Sequence, residues 1–148
     1  MKKFIYPLQS VLNLKEKLES QEKILFQTAM EELRKEEEAL SLLEHRKYEY
    51  EERLREAVSS RLDLLNVKTN KEAIEVMKEL IHQQTGKVRR AERHAEVARK
   101  RLEDAMKERK TLEKLKEDAF AEYCWATQLQ YPNLLPSASR QLQQARLL

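Results

Sequence analysis

The sequence predicts an all-α protein, a long antiparallel two-helix coiled-coil hairpin. Of the 148 residues, 37% are charged and 6% aromatic, with one glycine and three prolines, so the chain can neither turn often nor fill a globular core. A seven-residue repeat runs through its second half, and an acidic stretch in its first half complements a basic one in the second. A parallel homodimer using the same heptads is the alternative. We divide the chain into an extended leader (1–6), a hairpin (7–129) and a flexible tail (130–148).

The first helix is predicted to begin at Pro7, because proline suits the first turn of a helix. Its apolar stripe opens with Val11, Leu14, Leu18 and Leu25. The pattern then changes phase, and one row continues as Phe26, Leu33, Leu40, Lys47 and Leu54. The row beside it is Ala29, Glu36, Leu43, Tyr50 and Ala57. The change of phase near Leu25 predicts a stutter, which would unwind a supercoil locally.

The turn of the hairpin is predicted at about residues 66–70. Asn66, Thr69 and Asn70 are turn formers, and Thr69 with Glu72 has the spacing of a capping box, so the second helix would begin near Asn70. Facing residues would then have numbers that sum to roughly 136 in two antiparallel arms of roughly 60 residues. This register places the acidic residues 31–56 beside residues 80–104, which include the basic stretch 87–101.

The seam of the second helix consists of two rows of residues. The first row is Ile74, Ile81, Val88, Ala95, Leu102, Arg109, Lys116 and Tyr123. The second row is Met77, Gln84, Ala91, Ala98, Ala105, Leu112, Ala119 and Ala126. Because the second row is mostly alanine, a partner helix can approach closely. Polar residues in the seam are expected to set the register; these are Lys47, Arg61, Arg109 and Lys116.

Composition and motifs exclude several classes of function. The net charge of +3 argues against a dedicated nucleic-acid binder, and a nucleotide loop needs more glycines than the single Gly86. Gly86 marks either a soft point in the helix or a close helical contact. The three histidines lack further ligands at metal-binding spacing, and the lone Cys124 fits a reducing compartment. We expect no enzyme activity, cofactor, metal, small-molecule ligand, signal peptide or membrane span, and a cytoplasmic location.

An apolar pair outside the seam predicts a docking surface. Val76 and Leu80 lie one turn apart, and Gln83 and Lys87 follow on the same outward face of the helix. The alternative is that the pair covers the turn by packing against Leu64, Leu65 or Val67.

The opening run, from Phe4 through Ile5, Tyr6, Pro7 and Leu8 to Lys15, leads directly into a charged coiled coil and resembles the start of the flagellar export protein FliJ family. The end of the second helix, from Thr111 to Glu117, is also similar, and the resemblance spans about residues 4–123. The apolar, proline-broken sequence after Cys124 departs from the charged helix of that family, although Ala138 to Leu148 again reads as a short helix.

The resemblance implies a non-catalytic component of the flagellar type III export apparatus, similar to the central stalk of rotary ATPases. Its implied partners are the export ATPase hexamer, the cytoplasmic domain of the export gate membrane protein and substrate chaperones. The gate contact would fall on Val76, Leu80, Gln83 and Lys87. The contact with the ATPase ring would fall on Phe4, Tyr6, Leu8, Gln9, Val11 and Leu12. A generic coiled-coil adaptor and a virulence secretion stalk protein are the alternatives.

Overall fold

A computed structural model describes residues 3–59 and 63–130 of the chain. It confirms an all-α, antiparallel two-helix hairpin, with α1 spanning Gln9–Ser59 and α2 spanning Leu64–Gln130. The chain divides into two compact units, residues 1–22 with 101–148 and residues 23–100. The predicted flexible tail lies outside the described residues apart from Gln130, which ends α2, and the predicted seam residue Arg61 also lies outside them.

The seam predicted for α2 is confirmed by burial. Both rows are buried or half-buried from Ile74 to Tyr123, and Ala126 alone among them is exposed. In α1 the rows from Phe26 to Ala57 are likewise buried or half-buried. The buried residues of these rows include Ile74, Val88, Ala91 and Ala95, which are 6 to 8% exposed. Local periodicity therefore predicted these seams correctly, because each helix must turn its repeated face toward its partner.

The stutter predicted near Leu25 is wrong. Val11, Leu14, Leu18 and Leu25 are all exposed, whereas Leu12 is only 2% exposed. The heptad of Phe26 continues without a phase change toward the start of α1, so the half-buried positions there are Lys15, Glu19 and Glu22. Lys15 and Glu19 are tolerated in the seam because α2 supplies opposite charges: Lys15 Nζ lies 2.7 Å from Glu108 Oε2, and Glu19 pairs with Arg109.

The turn predicted at residues 66–70 is also wrong, since α2 already begins at Leu64. Asp63 caps this helix: its Oδ1 accepts the backbone N–H groups of Leu65 at 3.2 Å and Asn66 at 3.4 Å. The predicted turn formers lie inside the helix and bond back to it. Thr69 Oγ1 donates to the Leu65 carbonyl at 2.8 Å, and Asn70 Nδ2 donates to the Asn66 carbonyl at 2.9 Å.

The earlier start of α2 changes the register of both units. In the unit of residues 1–22 and 101–148, Lys15 faces Glu108, where the predicted register placed it near residue 121. In the unit of residues 23–100, Glu36 faces Gln84, where the predicted register placed it near residue 100. Only the beginning of the acidic stretch 31–56 therefore faces residues within 80–104, and it lies beside the start of the basic stretch.

Candidate functional site

The first candidate surface is the end of the hairpin that carries the leader. Residues 3–6 have no regular structure, and Gln9 N–H donates to the Tyr6 carbonyl at 3.0 Å as α1 begins. The ring of Phe4 packs edge-on against Phe120, with centroids 5.2 Å apart, and lies 5.3 Å from the ring of Tyr123. This aromatic contact holds the leader against the last turns of α2.

A long-range hydrogen bond fixes the leader further. Tyr6 is 7% exposed, and its hydroxyl donates to the backbone carbonyl of Leu112 at 3.2 Å. Because a carbonyl inside a helix already accepts a bond from its own helix, the phenol uses the second lone pair of that oxygen. The start of the chain is thus held by both ring packing and a directed polar contact.

The six residues assigned to ATPase binding divide into two groups on this structure. Tyr6 and Leu12 are buried, and Phe4 and Gln9 are half-buried. Leu8 and Val11 are exposed, with 41% and 37% of their surface accessible. The sequence pattern could not separate these groups, because Val11 and Leu12 are equally apolar and only the phase of the helix decides which one faces α2.

The second candidate surface is the outward face of α2 near its start. Val76 is 55% exposed and Leu80 37%, and Gln83 and Lys87 are exposed on the same face. The alternative in which this pair packs against Leu64, Leu65 or Val67 is wrong. All three belong to α2 itself, and even Val67 lies nine residues, or about 13 Å, along the helix from Val76.

A shallow cleft of ≈ 390 Å³ lies beside this surface in the unit of residues 23–100. Its walls are Glu32, Lys35 and Glu36 from α1 and Lys87, Arg90, Ala91 and His94 from α2. Its charges are mixed, with more basic than acidic groups. His94 therefore lies beside α1 residues 32–36, whereas His45 pairs with Glu49 of its own helix at 3.0 Å.

The polar seam residues also have defined partners. Gln84 is 8% exposed and its Nε2 donates to the Glu36 carbonyl at 3.0 Å and to the Glu36 carboxylate. Arg109 bonds to Glu113 at 2.8 Å and pairs with Glu19, and these bonds, that to Glu113 foremost, raise the pKa of the Arg109 guanidinium. Directed contacts of this kind favour one register over its neighbours.

The described residues contain no group of three or more histidine, cysteine or acidic side chains arranged to hold a metal ion. Neither helix, over those same residues, has an apolar run long enough to cross a membrane. Cys124 is a half-buried free thiol in this part of the chain.

Comparison with known proteins adds the decisive observation. The family described as Flagellar FliJ protein matches residues 3–127, which is nearly the whole chain. The chain belongs to the FliJ family. FliJ proteins are components of the flagellar type III export apparatus, and the two-helix hairpin agrees with the fold expected from the resemblance. Searches of curated proteins and of solved structures found no significant match.

Proposed function

We propose that this FliJ-family chain is a non-catalytic stalk of the export apparatus. In this proposal the end bearing the leader binds and stimulates the export ATPase hexamer, while the face near the start of α2 contacts the cytoplasmic domain of the export gate. The chain also escorts substrate chaperones. It works in the cytoplasm, held at the inner face of the cell membrane through the apparatus.

The ATPase contact is supported by the packing of the leader against α2. Phe4 and Tyr6 fix it to α2, so Leu8 and Val11 are presented on a preorganised surface instead of a loose end. Preorganisation reduces the entropy lost when a partner binds. Trp125 and Leu129 are also exposed, at 55% and 66%, and add apolar area at the end of α2.

Stimulation of the ring follows from the asymmetry of such an end. A hexameric ring offers six equivalent surfaces, whereas the hairpin end carries different side chains on each side. Contacts that differ between subunits stabilise different conformations in different subunits. The nucleotide sites then become inequivalent, and turnover can proceed in sequence around the ring without any chemistry on the stalk.

The structure indicates which variants can test this contact without disturbing the fold. Deleting residues 1–12 would remove the buried Tyr6 and Leu12 and disturb the hairpin itself. A better variant carries Leu8→Asp with Val11→Asp, and the matched control is Ser10→Asp, which changes an exposed polar residue of the same turn. Steady-state ATP hydrolysis by the flagellar export ATPase of the same organism is titrated with each protein.

The expected result is stimulation by the wild-type chain and by Ser10→Asp, and little stimulation by the double variant. Circular dichroism must show equal helicity for all three proteins. If the wild-type chain neither binds nor stimulates the ATPase, the stalk role is refuted, and the chain is an adaptor with another partner. The family match favours a flagellar setting over a virulence secretion system.

The gate contact is assigned to Val76, Leu80, Gln83 and Lys87. The supporting observation is that two apolar and two polar side chains of one helical face are exposed together. An apolar centre beside polar groups is the composition of a small helix-docking surface. Lys87 also lines the neighbouring cleft, so an acidic group of the gate beside it would gain from its charge.

The gate contact is tested by replacing Val76 and Leu80 together with aspartate. We expect weaker binding of the gate domain in a pull-down, with unchanged helicity. Val97→Asp is the matched control, because Val97 is another exposed valine of α2, with 49% of its surface accessible. Binding that survives in the double variant, or that is lost equally in the control, would refute this surface.

A further inference from the structure

A basic stretch of α2 remains exposed in the folded hairpin. Residues 84–100 contain six basic and two acidic side chains, a net charge of +4, whereas the whole chain has a net charge of +3. All six basic side chains are exposed. Five of them form no ion pair with any residue that the structure describes, and these five make up the basic patch: Lys87, Arg89, Arg90, Arg93 and Lys100.

The basic patch is exposed because most of the acidic stretch of α1 lies elsewhere along the hairpin. The predicted register placed residues 31–56 beside residues 80–104, which would have paired the two stretches. In the observed register Gln84 already faces Glu36, so only the first residues of the acidic stretch lie near the patch. The positive charge of the patch therefore remains available to a partner.

Two acidic residues of α2 border the basic patch along one edge. Glu92 lies about 60° around the helix from Arg89, and Glu96 lies about 60° from Arg93 on the same side. The carboxylate of Glu96 pairs with Arg99 at 2.7 Å, so much of its charge is neutralised outside the patch. This edge therefore reduces the positive charge of the patch without cancelling it.

The opposite edge of the basic patch is the shallow cleft between the helices. Glu32, Lys35 and Glu36 line its α1 side. Glu36 accepts a hydrogen bond from the buried Gln84, and the exposed cation of Lys35 offsets one of the two carboxylates. The surface from this cleft to the far edge of the patch thus keeps an excess of positive charge.

The shape of the basic patch fits an extended anionic surface. Its five cations span about 20 Å of a convex helix, and the adjoining cleft is too shallow and too mixed in charge to enclose one anion. Residues 84–100 contain no aromatic side chain on which nucleic-acid bases could stack. Val97 is the one exposed apolar side chain among these described residues, which is too little for the centre of a protein interface. Anionic lipid headgroups attract clustered lysines and arginines without requiring a fixed spacing.

We propose that the basic patch binds the surface of a membrane that contains anionic lipids. In this mode α2 lies along the headgroups and its side chains do not enter the hydrocarbon core. The inference does not depend on the stalk role, since it involves neither the ATPase nor the gate. Lys87 belongs both to the patch and to the surface assigned to the gate, so lipid binding would bring Val76 and Leu80 close to the membrane.

Sedimentation with lipid vesicles tests the proposal on the full-length chain. One set of vesicles is phosphatidylcholine with about one-third phosphatidylglycerol, and the other is phosphatidylcholine alone. We expect binding to the anionic vesicles only, and its loss at about 1 M salt, where the Debye length falls to about 3 Å. Reversal of three charges, Arg89→Glu with Arg90→Glu and Arg93→Glu, should weaken binding by at least about tenfold. Lysine at the same three positions should preserve it, because lipid attraction requires the charge and not the guanidinium geometry.

The matched control reverses three charges outside the basic patch: Lys68→Glu with Lys71→Glu and Lys110→Glu. These lysines of α2 are exposed and form no ion pair with any described residue, so the control has the same net charge as the reversed variant. At 0.1 M ionic strength charges are screened beyond about 10 Å, so the control should retain most of the binding. Circular dichroism must show equal helicity for all variants.

Three outcomes would overturn the lipid-binding proposal. The first is equal binding to neutral and anionic vesicles, and the second is an equal loss of binding in the reversed and control variants. The third is binding of a duplex oligonucleotide under conditions in which the vesicles do not bind, which would assign the patch to nucleic acid. Because the ATPase and the gate are absent from this experiment, its failure would leave the stalk role to the ATPase titration.

Discussion

Arg109 of α2 pairs with Glu19 of α1 from within the seam, and each side chain is only about one-fifth exposed. Both residues occupy heptad positions where an apolar side chain would ordinarily sit. The same arginine also bonds to Glu113 on its own helix. Without these ion pairs, the continuous heptads of α1 and α2 would leave both charges half-buried and unpaired. The Glu19–Arg109 pair also shows which face of α1 lies against α2.

Removal of one member of the pair is expected to destabilise the hairpin. Arg109→Met leaves Glu19 half-buried without its partner and should lower the free energy of unfolding. Urea denaturation, monitored by circular dichroism, measures this change in the free energy of unfolding. Lys114→Met, on an exposed pair with Asp118, is the matched control and should change stability by less than about 0.5 kcal/mol. Equal effects of the two changes would contradict a structural role for the Arg109 pair.

The buried amide of Gln84 should contribute more to the stability of the hairpin than the exposed amide of Gln83. Gln84→Ala removes the donor to the Glu36 carbonyl and leaves a small void, so we expect a loss of about 1–2 kcal/mol in the free energy of unfolding. Gln83→Ala, one residue earlier on the exposed face, should be within about 0.5 kcal/mol of wild type. Both values come from the same urea titration. Comparable losses in the two variants would mean that Gln84 does not join the helices.

Replacing Gly86 by alanine should not destabilise the hairpin. A Cβ atom at this position would meet no other atom within 4 Å, so the alternative of a close helical contact is not what the structure shows. Gly86→Ala should therefore raise the free energy of unfolding by about 0.5–1 kcal/mol, because alanine loses less backbone entropy in a helix. Thermal denaturation detects the gain, and Gly86→Ser should give a smaller one. Destabilisation by alanine would show that another group approaches this position closely.

Acid should weaken one within-helix ion pair in a predictable direction. Hydrogen bonding to Arg34 lowers the pKa of the Glu31 carboxyl below its ordinary value of 4.5. A lowered pKa in the folded state contributes stability that is present above pH 4.5 and is lost as the pH falls through the lowered value. The difference in Tm between wild type and Arg34→Gln should therefore be largest near neutral pH and disappear in acid. A difference that grows on acidification would contradict this assignment.

The sequence by itself determined the helical hairpin and most of its seams. Few glycines and aromatics left no other architecture, and heptads such as Ile74, Ile81 and Val88 repeat over many turns, so their inward face is a local property. The leader motif likewise predicted the family before any comparison. For the two docking surfaces, the sequence indicated the regions but not which side chains are exposed.

Only the tertiary structure decided the phase of α1 and the register of the arms. Val11, Leu14 and Leu18 offered a more apolar face than Lys15 and Glu19, yet the latter face inward because Glu108 and Arg109 complement them across the seam. Which face of α1 turns inward depends on the charges of the partner helix, so the periodicity of α1 alone cannot predict it. The turn was misplaced for a similar reason, since Thr69 and Asn70 can satisfy their polar groups inside a helix as well as in a turn.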